Sequence, residues 1–250
     1  MRLLRLTLVS ALPFALIACD DEPGPTIMEP DPVAAVHWVN ASPDVGAIDI
    51  RPIDIVTNAG LFGAGFGAAN ANAQPILAGT RTIRVFRANS PDILWEGTHN
   101  FVEGQRYTFI VHGPANALKV DIINDNPPSP GSGNVAVRAV MLGVGLGNVD
   151  VYVGTEADGL PAASPAWTNV GYSPTGTDFK AFPAGPLRIA AVPAGAAEPF
   201  IVANQAMPAG SPPTNMLSGI PGVTQPGTAI TAIIIDEGRA PIYLNHRRPD

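Results

Sequence analysis

The sequence predicts an all-β protein, and three observations carry that prediction. Segments in which apolar and polar residues alternate recur with turn residues between them, at about seven segments in about ninety residues. Residues 36–50, which have the pattern of two strands joined by a tight turn, are followed by a degenerate copy that begins near Val135. The chain ahead of residue 33 resembles an export signal followed by a polar spacer. Together they predict two tandem immunoglobulin-like antiparallel β-sandwich domains after a signal peptide and a tether.

The composition indicates a folded, acidic protein. Of its 250 residues, 46% are hydrophobic and 14% are charged, and the formal net charge is −7. Glycine and proline are frequent, with 26 and 27 residues, but the apolar segments are numerous enough to argue against disorder. Because the balance is acidic and there is no basic patch, we do not expect nucleic acid as a partner.

Residues 1–18 are predicted to be a lipoprotein signal peptide, because a short positive start precedes an apolar stretch too short for a permanent membrane helix. Residues 16–19, Leu-Ile-Ala-Cys, resemble a bacterial lipobox, which implies that Cys19 is lipidated and becomes the mature N-terminus. The other interpretation is an ordinary signal peptide with an incidental cysteine. Cys19 is the one cysteine of the chain, which favours lipidation. We therefore expect secretion across the inner membrane and a lipid anchor in the cell envelope, in the periplasm or at the surface.

Residues 19–32 are predicted to be an acidic, proline-rich tether with almost nothing to bury. With a single cysteine, the chain cannot form an internal disulfide. The stability of the folded part must therefore come from its core.

Residues 33–126 form the first predicted sandwich. An apolar run at 33–39, turn residues at 42–46, and the alternation of Ile48 and Ile50 with polar neighbours predict a strand, a turn and a strand. Further strands are predicted at 83–87, 93–95, 107–112 and 118–122. The glycine-rich segment 61–67 lacks a following helix and a Lys-Ser/Thr pair, so it is predicted to be a small-residue edge segment rather than a nucleotide site.

Residues 127–133 are predicted to be a linker because they contain only proline, serine and glycine. Ahead of them, residues 124–127 superficially resemble the calcium-binding joint of cadherins, and oxygen donors at a hinge can bind calcium. The calcium candidates are Asp121, Asn124, Asp125 and Asn126. A calcium site needs six to eight oxygen ligands and few are identifiable, so the favoured prediction is no metal site and a strand end followed by turns.

Residues 134–250 form the second predicted sandwich. The strand around Asp150 corresponds to the strand around Asp49, 101 positions earlier. Val135, Val137 and Ala139 are predicted to share one face of its first strand, with Arg138 on the other. Later strands correspond at larger spacing because of a Pro/Gly/Ser-rich insertion at residues 204–222, and insertions of this length are disordered or functional.

These features resemble a family of bacterial surface lipoproteins defined by the DUF4397 domain of unknown function. Its repeats typically open with a strand, an Asn/His-Ala-Ser-Pro-Asp turn and a Val-Asp-Val-Tyr-like strand. The first repeat here has Asn-Ala-Ser-Pro-Asp at 40–44, and the second has Val-Asp-Val-Tyr at 149–152 but a glycine-rich stretch in place of the turn. The resemblance covers residues 33 to about 245, with a degenerate second copy. It implies a fold and a location, and no activity.

No catalytic or cofactor-binding residue is predicted. The four histidines have no partner at metal-ligand spacing, there is no Gly-x-Ser-x-Gly motif, and Ser42 with Asp44 is better explained as turn capping than as part of a triad. His37 is predicted to be a structural histidine in a strand that faces a core. Paired carboxylates and an active-site loop at the insertion are the remaining, less favoured, routes to a hydrolase.

The favoured function is therefore a non-catalytic, lipid-anchored envelope protein that is structural or binds a partner. The membrane is contacted through the lipid, and the expected partner is an envelope protein or a cell-wall glycan, with no nucleotide. The alternative is a carbohydrate- or peptidoglycan-binding module, which would be favoured if two of Trp38, Trp95 and Trp167 were exposed along a groove.

Overall fold

A computed structural model describes residues 30–70, 72–155, 164–195, 218–235 and 241–246. All of its strands lie in one compact unit, residues 32–250. The signal peptide, Cys19, the tether up to residue 29 and insertion residues 204–217 lie outside the described residues. Within the described part, no helix is long and apolar enough to cross a membrane.

The all-β prediction is confirmed. The first half of the unit contains β1 (Val33–Ala41), β2 (Ile48–Pro52), β3 (Leu61–Ala64), β4 (Gln74–Leu77), β5 (Gly79–Arg87), β6 (Ile93–Phe101), β7 (Arg106–His112) and β8 (Lys119–Asn124). The second half contains β9 (Asn134–Met141), β10 (Val149–Gly154), β11 (Trp167–Val170), β12 (Lys180–Pro183), β13 (Arg188–Pro193), β14 (Ser218–Gly219), β15 (Ala229–Ile234) and β16 (Ile242–Asn245). The stretch predicted as a linker lies between β8 and β9.

Each half pairs its strands into two four-stranded sheets in the same order. In the first half the sheets are β4-β1-β7-β8 and β3-β2-β5-β6. In the second half they are β12-β9-β15-β16 and β11-β10-β13-β14. One pair in each half is parallel, β1 with β7 and β9 with β15, and the other named pairs are antiparallel.

The correspondence extends to single side chains. Asp49 accepts a hydrogen bond from the backbone N–H of Gly63 (2.6 Å), and Asp150 accepts one from the backbone N–H of Asn169 (2.7 Å). Gly63 and Asn169 both have a positive φ, 58° and 53°, a conformation that glycine and asparagine adopt most readily. Each carboxylate therefore fixes the neighbouring edge strand where the pairing register shifts.

Each half has its own apolar core between its two sheets. In the first half, Trp38 and Phe109 are fully buried with ring centroids 5.3 Å apart. In the second half, Val137 and Val151 pack with the buried Trp167. These cores have the alternating side-chain pattern that a β-sandwich requires.

A third apolar core joins the two halves. It contains Val39, Ala41 and Ile110 of the first half, and Val140, Leu142, Ile233, Ile235, Ile242 and Leu244 of the second. We call this contact the junction. The sheets that carry β1 and β9 are therefore inner sheets, and the sheets that carry β2 and β10 are outer sheets. The central strands of the inner sheets, β1, β7, β9 and β15, are buried on both faces over most of their length. As a consequence, Arg138, predicted to lie on the face of its strand opposite Val137, points into the junction and is only 7% exposed.

Candidate functional site at the junction

A buried ion pair lies at the centre of the polar part of the junction. The side chain of Asp125, which follows β8, is fully buried, and its Oδ1 lies 2.8 Å from Nη2 of Arg138 on β9. Thr108 donates its hydroxyl to Oδ2 of Asp125 at 2.7 Å, and Arg138 donates its Nε–H to the hydroxyl of Thr231 at 2.9 Å. The guanidinium also lies over the ring of Phe179, 4.8 Å from its centroid. A buried charge pair is tolerated only with such additional hydrogen bonds, and these come from both halves.

Two buried histidines complete this arrangement. Nε2 of His246 lies 3.1 Å from Asp125 and 2.8 Å from the hydroxyl of Thr231. His37 donates from Nδ1 to the carbonyl of Asn70 (3.1 Å), and its ring meets that of His246 edge-to-face, with centroids 4.9 Å apart. We call Asp125, Arg138, His37 and His246, with Thr108 and Thr231, the junction cluster.

Both histidines are held neutral. Burial lowers the pKa of His37, against the opposing effects of the Asn70 carbonyl and Asp125. Burial, together with the nearby His37, Arg138 and Arg106, lowers the pKa of His246 to about 2. Asp125 is already neutralised by Arg138, so protonating His246 would place a second cation beside one carboxylate.

A second polar contact crosses the junction at its rim. His112 at the end of β7 is buried, and its Nε2 lies 2.6 Å from Asp121 of β8. Its Nδ1 lies 2.6 Å from the hydroxyl of Tyr172, which belongs to the second half. Burial and the charge of Asp121 raise the pKa of Tyr172, so the phenol stays protonated and acts as a hydrogen-bonding group rather than a nucleophile.

A polar cleft of about 450 Å³ opens beside the junction cluster. Arg138 and Asp125 form part of its wall, and Phe179 contributes an aromatic ring. The remaining lining is mostly amide, hydroxyl and carboxylate side chains: Asn124, Asn126, Thr175, Thr177 and Asp178. We call it the junction cleft. Two other grooves lie beside β1 and β7 (about 540 Å³) and beside Trp167 (about 590 Å³), and the second shares Gly176 and Thr177 with the junction cleft.

The four calcium candidates do not converge on one point. Asp121 contacts His112, and Asp125 points inward to the ion pair with Arg138. Asn124 and Asn126 hydrogen bond to each other at 2.9 Å on the exposed side. The described residues contain no group of three or more His, Cys, Asp or Glu side chains that could hold a metal ion. The role that the structure gives Asp125 is that of an ion-pair residue.

The Ser-Pro-Asp turn of the first half is held by structural contacts. Ser42 donates its hydroxyl to the carbonyl of Gly113 at 2.6 Å, and Asp44 accepts the backbone N–H of Ala115 at 2.6 Å. Asn40 accepts the backbone N–H of Ser42 at 3.1 Å. These contacts tie the turn after β1 to the turn after β7.

The tryptophans do not form an exposed platform. Trp38 is fully buried, Trp167 is 8% exposed with Lys180 over its ring, and Trp95 is half-buried against Phe109. These three side chains therefore do not provide the exposed stacking surface that would favour sugar binding.

Sequence reasoning missed Arg138, Thr231 and His246 as members of one cluster. The available signal was the strand β15, in which buried residues run without the alternation typical of a strand with one wet face. A strand buried on both faces needs a second covering layer. The buried Arg138 in β9, which pairs with β15, is then expected to have an acidic or hydrogen-bonding partner in that second layer.

Comparison with known proteins gives matches to solved structures and to a family model. A solved structure described as "Alpha-glucan binding by a streptococcal virulence factor" is similar over 86% of this chain and 96% of that chain, with 10% sequence identity and a TM-score of 0.29. Comparison with curated proteins gives no match. Residues 34–152 match the family model described as "Domain of unknown function (DUF4397)", a match that runs through the first half and ends within β10. This part of the chain therefore carries a DUF4397 domain.

Proposed function

We propose that this chain is a non-catalytic, lipid-anchored protein of the bacterial cell envelope whose two sandwiches form one rigid structural or partner-binding module. The observation that carries the proposal is the junction. A shared apolar core and a buried ion pair hold the two sandwiches together. A rigid body on a tether can present a fixed surface at a distance from the membrane.

The second half is, in this proposal, a degenerate tandem copy of the first. The identical strand order of the two halves supports it, as do the matching contacts of Asp49 and Asp150. The copy has kept the framework and changed the surface, because the turn at 42–46 has no equivalent sequence in the second half.

A non-catalytic role is supported by how the titratable groups are used. Those of the junction contact one another, with His112 between Asp121 and Tyr172, and Asp125 between Arg138 and His246. Groups that cross-link two layers in this way contribute to stability and specificity of the fold.

The lipid anchor is tested by metabolic labelling with a fatty acid in a bacterial host. The wild-type chain should incorporate the label and fractionate with membranes. The Cys19→Ser variant should lose the label and remain as an unprocessed or soluble species. Equal labelling of both would overturn the lipid anchor at Cys19.

A second candidate function is glycan binding in the junction cleft. The observation that favours it is the lining of amide, hydroxyl and carboxylate groups, which form directional hydrogen bonds with sugar hydroxyls. Thermal unfolding with a panel of cell-wall glycans tests it, since a ligand at a hundred times its Kd stabilises by about 2.7 kcal/mol. A shift that disappears in the Asp178→Ala variant would assign the cleft. A shift that persists in the variant would place glycan binding outside the cleft, and no shift would leave protein partners to be sought by crosslinking in the intact envelope.

A further inference from the structure

We infer that the junction is acid-sensitive: protonation of His37 and His246 separates the two sandwiches while each keeps its own core. The inference goes beyond the proposed function, because it concerns a response of the module to its surroundings. It stands on the geometry of two buried imidazoles.

Among the described residues, each imidazole has one nitrogen in a hydrogen bond and one buried nitrogen without a hydrogen-bond partner. His37 uses Nδ1 for the Asn70 carbonyl, and its Nε2 has no hydrogen-bond partner among the described residues. His246 uses Nε2 for Asp125 and Thr231, and its Nδ1 likewise has no partner in the described part of the chain. Both side chains are 0% exposed. Among the described residues, a proton added to His246 would occupy a buried nitrogen without an acceptor, which is costly. For His37 the backbone carbonyl of Asn245 opposes the effect of burial, which still lowers the pKa of the ring.

The charges around His246 increase this cost, whereas for His37 the carboxylate of Asp125 acts in the opposite direction. From the first half, Asp125 lies beside the two rings. Arg106 is close enough to lower the pKa of both histidines. From the second half, Arg138 faces it, and Phe179 covers one side. The single carboxylate is paired with Arg138. Two protonated histidines would leave the cluster with an excess of positive charge between two apolar layers.

The rim contact through His112 differs from the buried pair in its geometry. Both ring nitrogens of His112 have a partner, the carboxylate of Asp121 and the hydroxyl of Tyr172. The acid-sensitive element is therefore the buried pair, His37 with His246.

The sign of the pH effect follows from linkage. The pKa of each histidine is lowered in the closed junction, so the open form binds more protons below the ordinary value of 6.5. The closed junction is fully favoured above that pH and loses stability as the pH falls. The pKa of His246 is about 2 in the closed junction and is taken as 6.5 in the open form. A fall in pH from 6.5 to 4.5 therefore raises the ratio of open to closed junction roughly a hundredfold through this residue alone.

Thiol trapping measures this ratio directly. In the full chain carrying Cys19→Ser, the substitution Ala41→Cys places the only thiol in the junction core, where residue 41 is 0% exposed. A parallel variant, Ala191→Cys, places it in the core of the second half. Dithiodipyridine, which reacts at acid pH, labels each thiol, and an unfolded peptide supplies the reference rate at every pH.

Between pH 7.5 and pH 4.5 the relative labelling of the junction thiol should rise by at least a hundredfold and remain faster than that of the core thiol. His37→Asn keeps a nitrogen at the position of Nδ1, and His246→Gln keeps one at the position of Nε2. Both substitutions remove the ring nitrogen that has no hydrogen-bond partner among the described residues. Together they should abolish most of the rise in labelling of the junction thiol. The matched control is His99→Gln. His99 also has a buried Nε2 without a hydrogen-bond partner in the described part of the chain, but it lies against Phe101 and Tyr107, away from the junction.

Junction labelling that changes less than about threefold over this range, or that rises equally without the two histidines, would overturn the inference. Equal labelling of the junction and core thiols at pH 4.5 would also overturn it, since the sandwiches would then unfold rather than separate. If the double variant does not fold, each single variant should remove part of the rise in labelling. A full rise in both single variants would also overturn the inference.

Discussion

The Arg138→Met substitution tests the energetic importance of the junction ion pair. Arg138 is 7% exposed and Asp125 is 1% exposed, with 2.8 Å between their charged atoms. Methionine keeps much of the side-chain volume but leaves the carboxylate buried without its cation. Removal of one partner of a buried pair costs about 3–5 kcal/mol. We expect the free energy of unfolding to fall by that amount.

Urea unfolding at pH 7.5 measures this loss of stability. A double variant and a matched control variant show whether the loss comes from the unpaired buried charge. Asp125→Asn in the Arg138→Met background removes the stranded charge, so the double variant should be more stable than the single one. Arg84→Met is the matched control, because Arg84 pairs with Glu96 on a partly exposed outer sheet and should cost no more than about 1 kcal/mol. A loss for Arg138→Met that is no larger than that for Arg84→Met would refute the reasoning.

Two further substitutions test the apolar part of the junction and its close backbone contacts. Ile110→Ala removes a side chain that is 1% exposed in the junction core, and it should lower the free energy of unfolding in urea by about 2–5 kcal/mol. A loss below about 1 kcal/mol would mean that the two halves are not tightly packed at this position. Gly176→Ala should lower the unfolding midpoint, because Gly176 has a φ of +68° and an added Cβ would lie 2.5 Å from Cγ2 of Val140. Gly185→Ala, where an added Cβ meets nothing within 4 Å, is its control, and equal effects of the two would contradict the close approach.

The sandwich framework could be predicted because its signals are local. The alternation at 48–50 and the turn residues at 42–46 specify β2 and the turn that precedes it, whatever lies elsewhere in the chain. The correspondence of Asp49 with Asp150 was visible as a motif, and the structure gives it a cause, since each carboxylate fixes an edge strand.

The junction could not be predicted because its partners are far apart in sequence. Asp125 and His246 meet across 121 positions, and their pairing depends on how two complete sandwiches pack. Asp125 had the local signature of a turn or a calcium ligand, and only the position of Arg138 gives it another role. The structural role predicted for His37 agrees with its burial, but the ring that it faces belongs to the other half.

Differential scanning calorimetry of the full chain at pH 7.5 tests the central claim most directly, that the two sandwiches form one cooperative body. A single transition, with a calorimetric enthalpy equal to the van't Hoff enthalpy, is the predicted result. Two resolved transitions, or a van't Hoff enthalpy near half of the calorimetric value, would show that the halves unfold independently and would contradict the account.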